Sequence, residues 1–424
     1  MAHPCESSDL QLFRNFCGVI QIDRHVPLHL AIPVYGYVMP CVVLATLVTN
    51  TLIVLVLVHK TLRTPTNYVL FAMAISELLT GLSSTPWMLY YFTFRGYEVE
   101  KAKGLPDFWC RTFPHFSVNA PTVFHTTAIW LTCYLALQRY SYVCKNLRRR
   151  HLPRFRPVKV AICCISVVAL LVTLPPSLTT YNKTYFSHPN ATFLGGEKRL
   201  CVRHFYGWVR WLGVTRFYLA IYWFQALFLY SIPCILCAVL TSLLVRTMIK
   251  QERRRLMLSK VGQRAAARRS SRGKQHTKML VAVVCLFLLT EVPAAIIFGT
   301  HLLALSQAIP FDKDRYQILN AAIVFRNILI VVSYPFRFAI YCGMSEQFRT
   351  VFKSRFSFIT GATAGNVSVT SLISNGNTAR TSTVAITEDA ESMIIAKFSR
   401  NRRHHSSSTA GDRLVEEEEG ETLV

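Results

Sequence analysis

Glu77, Glu291, Arg139, Arg326 and Arg337 are ionisable side chains set in stretches of chain that otherwise carry almost no charge. From residue 112 to residue 138 there is no Asp, Glu, Lys or Arg, and then Gln138-Arg139-Tyr140 follows. A charge in such surroundings must pair, lose its charge, or reach water or lipid phosphate, because an isolated ion in an apolar medium is costly. The chemistry open to these residues is therefore recognition and switching by charge pairing. Thr122, His125, Tyr222, Gln225 and Asn327 are further sparse polar groups among apolar neighbours. Side chains of that kind orient a ligand in a largely apolar pocket. Enzymatic chemistry has no comparable support: there is no His-Glu-x-x-His motif and no glycine-flanked serine, and His404-His405 is too little for a metal site. No cofactor is expected.

The elements that position these residues are long apolar segments. Residues 34–58, 67–94, 112–138, 160–181, 217–245, 279–311 and 316–336 each cover the roughly 20 residues needed to cross a bilayer. Seven such segments in series predict an all-α membrane protein, a seven-transmembrane helix bundle. The net charge of +25 would suit a nucleic-acid binder, but its distribution argues against one. Lys145, Arg148, Arg149, Arg150, Arg154, Arg156 and Lys159 fill the loop after the third segment without an acid among them. Twelve basic residues from Arg246 to Lys278 follow the fifth segment against Glu252 alone. These loops alternate with loops of mixed charge such as Glu98-Val99-Glu100-Lys101, so the basic set marks the cytoplasm and the amino terminus lies outside. The loop after the fourth segment is mildly basic on the outer side, yet it carries two glycosylation sequons, at Asn182 and Asn190. Residues 1–33 show no cleavable signal peptide. Most cysteines lie in apolar segments; Cys110 and Cys201, on the outer side, form the natural disulfide pair, and Cys5 with Cys17 offers a second.

The organisation that follows is an outer amino terminus (1–33), a seven-helix bundle (34–344), an amphipathic cytoplasmic helix (345–356) and a disordered cytoplasmic tail (357–424). The short helix mixes Glu346, Arg349, Lys353 and Arg355 with Phe348, Val351, Phe352 and Phe356, a pattern that lies along a membrane surface. The tail is rich in Ser, Thr, Gly and Asn. Its hydroxyls, such as Ser406-Ser407-Ser408-Thr409, are candidate phosphorylation sites, each adding charge that a basic partner can read. Thr422-Leu423-Val424 matches a ligand of a PDZ-domain protein. A transporter is the rival from another class, but paired acids along several spans, broken glycine-rich helices and a repeat of halves are all missing.

Particular positions sharpen this plan. Asn50 lies mid-way in the first segment, Thr66-Asn67-Tyr68 opens the second, Glu77 lies within it, Arg139-Tyr140 ends the third, and Pro233, Pro293 and Pro335 sit in the last three. In this order they resemble a rhodopsin-like (class A) G-protein-coupled receptor over about residues 34–356. Within that class a light receptor would need a lysine in the seventh segment, and an amine receptor a carboxylate in the third; both are missing. Peptide and lipid ligands remain. Val123-Phe124-His125-Thr126-Thr127-Ala128-Ile129-Trp130-Leu131-Thr132, Thr290-Glu291-Val292-Pro293 and Tyr334-Pro335-Phe336-Arg337-Phe338-Ala339-Ile340-Tyr341-Cys342 resemble the invertebrate sex-peptide and myoinhibitory-peptide receptors, a branch near the FMRFamide-type receptors.

The resemblance implies a plasma-membrane receptor for a short peptide, acting on a heterotrimeric G protein, commonly of the inhibitory class. Thr122, His125, Tyr222, Gln225, Glu291 and Asn327 are then the ligand-pocket candidates. Gln138, Arg139, Tyr140, Glu77, Phe287, Pro293, Tyr334 and Pro335 are the switch candidates. Glu291 replaces the tryptophan usual in the class and is expected to pair with a basic ligand group or with His125. Glu77 replaces an aspartate that often binds sodium; with Ala128 where a hydroxyl is usual and Tyr334 where an asparagine is, sodium sensitivity should be weak or absent. Gln138 replaces the acid that usually holds the arginine, so a neutral hydrogen bond should hold Arg139 less firmly. Arg337 is expected to reach membrane lipid phosphate or to pair with Glu346.

Overall fold

The computed structural model describes residues 18–22, 26–145, 155–186, 199–259, 264–306 and 313–356. The chain divides into two units, Met1–Arg355 and Phe356–Val424, and the helical bundle is the first of them. Its long helical spans run Leu28–Leu57, Pro65–Thr93, 107–145, Phe155–Thr173, 214–259, Arg264–Leu305 and Lys313–Met344, and the helix Glu346–Phe356 follows the seventh. Among the described residues six of these are long and apolar enough to cross a membrane. The third is long enough but is diluted by Thr122, His125, Thr126, Thr127, Thr132, Gln138 and Arg139. It packs against the second, fourth and fifth spans, so its polar side chains are set among neighbours rather than in lipid.

Local chemistry explains where the helices begin and bend. Thr64 caps the second span, its hydroxyl accepting from the Asn67 N–H at 3.2 Å, and Pro65 occupies the first helical turn, where its missing donor costs nothing. Ser345 caps Glu346–Phe356 in the same way, through the Phe348 N–H at 3.2 Å. Wide π-helical turns occur at Val34–Val38, Leu89–Thr93, His115–Asn119 and Ala226–Ser231. Each has a proline within three residues: Pro33, Pro86, Pro114 and Pro233. A proline withdraws one donor and crowds the preceding carbonyl, and a widened turn is one way to relieve both. Buried threonines return their hydroxyls to their own helix, as Thr46 does to the Val42 carbonyl, Thr132 to that of Ala128 and Thr173 to that of Ala169. In these three the hydroxyl is satisfied within its own helix.

The second span packs on both the first and the third, the sixth on the seventh, and the seventh on the first. Gly36 allows the first two spans to close: an added Cβ would lie 3.2 Å from the Phe92 carbonyl oxygen, and Thr93 donates to the Gly36 carbonyl at 2.8 Å. The helix Glu346–Phe356 buries Phe348 and Val351, and Phe348 meets Phe338 and Tyr341 of the seventh span at 6.1 and 5.9 Å. Apolar residues on one side hold it to the bundle, as its pattern predicts.

One element departs from an all-helical plan. Thr180–Phe186 (β1) and Arg199–Phe205 (β2) form an antiparallel hairpin between the fourth and fifth spans, pairing Asn182 with Arg203 and Thr184 with Cys201. The fourth apolar segment was expected to continue to residue 181; the helix stops after Thr173, with a short turn at Pro175–Thr179 before the strand. Leu174-Pro175-Pro176 explains the stop, since two successive prolines supply no donors to the helical ladder.

Candidate functional site

At the end of the bundle that carries Cys110 and Cys201 the sulfurs are joined, and the bond ties the start of the third span to β2. Residues 18–22 run beside β2, with the Ile20 N–H donating to the Cys201 carbonyl at 2.7 Å and the Arg203 N–H to the Gly18 carbonyl at 3.3 Å. Glu100, buried in the helix Gly96–Lys103, fastens that segment by accepting from the Ile22 N–H at 2.9 Å and from the Tyr91 hydroxyl. Gly104 passes so close to β2 that a Cβ there would collide with the Arg199 carbonyl, and its φ of 75° is one that L residues rarely adopt. Arg203 turns toward Tyr222 and Tyr218, and its burial lowers the guanidinium pKa below its ordinary value. Asn182 is half-buried, and its side-chain nitrogen donates to the Cys110 carbonyl at 2.8 Å. Asn190, Cys5, Cys17, the tail hydroxyls and Thr422-Leu423-Val424 lie outside the described residues.

Deeper in the bundle a polar cluster joins five spans. His125 Nδ1 lies 2.9 Å from the Tyr334 hydroxyl, and its Nε2 lies 3.3 Å from Glu291 Oε1. The third, sixth and seventh spans therefore meet at His125, which lies within ion-pair distance of Glu291, one of the two partners considered for that carboxylate. Arg326 donates through Nη2 to the Tyr230 hydroxyl at 2.9 Å and through Nη1 to Asn327 Oδ1 at 3.3 Å. Its guanidinium also sits 5.3 Å from the centre of the Tyr230 ring and within electrostatic range of Glu291. Asn327 in turn donates to the Tyr35 hydroxyl of the first span at 2.9 Å. Three atoms of this cluster are buried without a hydrogen-bond partner: His125 Nε2, which meets Glu291 only at ion-pair distance, Glu291 Oε2 and Arg326 Nε. A buried acceptor and a buried donor left open cost free energy that an incoming polar group can recover.

A second buried carboxylate is arranged differently. Glu77 pairs with Arg337 of the seventh span and accepts from Asn50 Nδ2 at 3.3 Å. The side chains of Glu77 and Arg337 are 1% and 6% exposed, so this pair is fully inside the bundle. Arg337 therefore reaches neither lipid phosphate nor Glu346, as had been expected; Glu346 is exposed on the following helix. The seventh span places Arg337 on its inward face, where the Glu77 carboxylate and the Tyr334 ring, 5.8 Å from the guanidinium, offset its burial. Both oxygens of Glu77 are engaged, which leaves no carboxylate for a sodium ion; the residues present do not fit one.

At the other end, Gln138 does not hold Arg139. Its Oε1 accepts from the Thr66 hydroxyl at 3.2 Å, fastening the third span to the second. Among the described residues no ion pair involves Arg139, and its Nε is buried without a hydrogen-bond partner. Tyr140 packs against the cluster of Ile129, Cys133, Ala136, Cys237, Leu240, Val284 and Phe287. Val284 and Phe287, 3% and 2% exposed, are the sixth span's buried contribution to that cluster. Cys133 hydrogen-bonds the Pro233 carbonyl at 3.6 Å, so the proline of the fifth span meets the third span directly above it. Pro293 and Pro335 lie inside the sixth and seventh helices.

Of the six ligand-pocket candidates, His125, Glu291 and Asn327 fall in one cluster. Gln225 does not; its amide donates to the Val172 carbonyl at 3.4 Å and ties the fifth span to the fourth. Tyr222 lies toward the hairpin, 5.7 Å from the Tyr218 ring, and Thr122 is half-buried with no hydrogen bond to the cluster. Tyr35, Tyr230 and Arg326 belong to the cluster and were not singled out as ligand candidates. Arg326 was visible as an unusual charge; Tyr230 carried no signal, because the wide turn Ala226–Ser231 rotates it out of the helical period that starts at Tyr222.

Comparison with known proteins is consistent with this arrangement. The profile described as "7 transmembrane receptor (rhodopsin family)" matches residues 49–334, more than half of the chain. The sex peptide receptor of Drosophila melanogaster is 35% identical over 358 residues, 83% of this chain and 78% of that one. Sex peptide receptor-related protein 2 of Caenorhabditis elegans is 32% identical over 366 residues, 84% of this chain and 80% of its own length. The allatostatin-A receptor of Bombyx mori is 25% identical over 72% of this chain and 75% of that receptor. A buried arginine at the end of the third span, a disulfide-tethered hairpin and widened helical turns beside prolines thus come with family-wide sequence similarity, and the chain belongs to the rhodopsin family of seven-transmembrane, G-protein-coupled receptors.

Proposed function

We propose that this receptor recognises a short extracellular peptide and passes the signal to a heterotrimeric G protein of the inhibitory class at the plasma membrane. Its disulfide end faces outward and its Arg139 end faces the cytoplasm, in keeping with the basic loops beside the latter. The observation that carries the reading is the His125–Glu291–Arg326 cluster, which presents an open acceptor and an open donor within one buried site. Such a pair suits a ligand that brings both a hydrogen-bond donor and an acceptor, as a peptide does. The relatives named for sex peptide and allatostatin-A point the same way.

Binding at the cluster joins the third, sixth and seventh spans. A ligand that bonds Glu291 better in one arrangement of these spans than in another shifts their balance by that difference alone. Movement of the sixth span past the Phe287 cluster then uncovers Arg139 for the G protein. Phosphorylated tail hydroxyls recruit arrestin, and Thr422-Leu423-Val424 recruits a PDZ-domain protein. The test is a screen of short peptides on cells expressing the full chain, with cyclic AMP as readout. A peptide that lowers cyclic AMP in cells with the wild-type receptor and not with Arg139→Ala supports the reading. A response to lipids alone, or one that survives Arg139→Ala, overturns it.

A further inference from the structure

The helix Gly207–Leu212 joins β2 to the fifth span and has an outward face that no other described residue covers. Trp208 is 48% exposed, Trp211 85% and Leu212 47%, while Val209 alone is buried beneath them. An aromatic as large as tryptophan left this bare needs an occupant. Arg210, on the same short helix, does not lie on that face: it folds back and donates twice to the Phe205 carbonyl, at 3.2 and 3.0 Å. Arg210 is exposed too, but its guanidinium is engaged by the chain's own backbone, whereas the two indoles face outward. Trp208 is held in place by an edge contact with Phe217, 5.3 Å between ring centres, in the first turns of the fifth span. Exposed Phe224, Leu227 and Ile235 continue the apolar surface down that span, which is a membrane-crossing helix, and exposed Arg216 stands beside it.

We infer that Gly207–Leu212 is an interfacial foot, with Trp208 and Trp211 seated at the headgroup and acyl-chain boundary of the leaflet at the disulfide end. Continuity with the lipid-facing side of the fifth span identifies the occupant as bilayer. Indole rings favour that boundary because the ring is apolar and its N–H remains able to bond a headgroup. Arg216 is placed to meet a lipid phosphate from the same side. The consequence reaches the ligand site: β2, bonded to Cys110 and to residues 18–20, is anchored to the membrane through this foot. The hairpin above the bundle is then braced by lipid on one side and by the disulfide on the other.

The chain has six tryptophans, and of these Trp208, Trp211 and Trp223 are the exposed ones among the described residues. The experiment reconstitutes the full receptor in phosphatidylcholine nanodiscs, with bromine carried on the acyl chain either near the headgroup or near the bilayer centre, and measures tryptophan fluorescence. Shallow bromine should quench the wild type, and the Trp208→Phe/Trp211→Phe variant should lose more than half of that quenching. Trp223, retained in the variant, should still be quenched by bromine deeper in the chain, which checks that the bundle remains folded and inserted. If aqueous iodide rather than lipid bromine quenches Trp208 and Trp211, the face is in water and the inference is overturned. Protection from both quenchers, which would mark a protein partner or a second copy, overturns it equally. So does quenching that is strongest at the bilayer centre.

Discussion

Glu77 and Glu291 are both carboxylates buried in the bundle, 1% and 3% exposed, and each faces an arginine of the seventh span. Glu77 has Arg337 and Asn50 on its two oxygens, from spans seven and one. Glu291 has His125 on one oxygen and nothing on the other, and Arg326 is drawn off to Tyr230 and Asn327. Both sites leave buried atoms without a hydrogen bond, Asn50 Oδ1 and Arg337 Nε at the first and His125 Nε2, Glu291 Oε2 and Arg326 Nε at the second, but of the two carboxylates it is Glu291 that keeps an oxygen with neither a hydrogen bond nor an ion pair. A buried ion pair holds spans together because removing either partner strands a charge. A carboxylate with an open oxygen is held at a cost, and a ligand relieves that cost. Under the proposed function the difference gives Glu77 an architectural role and Glu291 a role in recognition, although the sequence presents them as the same residue type in the same kind of surroundings.

The comparison can be broken most directly at Arg337. Arg337→Met should destabilise the purified receptor by about 3–5 kcal/mol, because Glu77 is left uncompensated. The double variant Glu77→Gln/Arg337→Met should recover most of this. Thermal unfolding of both in detergent measures it, and additive losses would show that the two residues do not act as a pair. Glu291→Gln should leave stability nearly unchanged and reduce peptide potency roughly tenfold, a shift of about 1.4 kcal/mol. Unaltered potency and basal signalling would remove Glu291 from the ligand site.

Smaller effects sharpen the contrast. Gln138→Asp supplies the anion that Arg139 lacks, and it should lower basal cyclic AMP inhibition by a few-fold in the absence of agonist. Since Gln138 is bonded to Thr66, Thr66→Ala should not reproduce that drop; if it does, the effect belongs to the joint between spans two and three. The smallest effect is expected for sodium. Exchange of sodium for choline should leave agonist affinity within about twofold, because Arg337 supplies the positive charge beside Glu77 and a hard cation needs several free oxygens. A sodium-dependent fall in affinity that disappears in Glu77→Ala would return Glu77 to the same class as Glu291.

Much of the fold was legible in advance. Seven apolar runs, the basic loops between them and the pattern of Phe348, Val351 and Phe352 locate the helices with ends that shift by several residues. The shifts have causes: Lys313–Met344 extends past residue 336 because Arg337 finds a buried partner and no longer marks the end of the span. The site was legible in part. His125 and Glu291 were marked by being polar where nothing else is, and they meet. Gln225 carried the same mark and faces the fourth span, because polarity says that a side chain needs a partner and not which one. Tyr35 and Tyr230 carried no mark, since a tyrosine in a membrane helix is ordinary until its hydroxyl is seen bonding a buried charge.

What the sequence by itself determined is the set of segments that must leave water, the order in which they do so, and the charges that cannot be left alone among them. Those follow from composition along the chain, where each residue's cost of transfer is its own. Which charge meets which was decided only by the tertiary structure. Partners such as Glu77 and Arg337, or His125 and Glu291, lie on different helices, and the faces those helices present depend on widened turns beside prolines and on packing across spans. A pairing between helices is a property of their rotation and depth, and no single segment contains it.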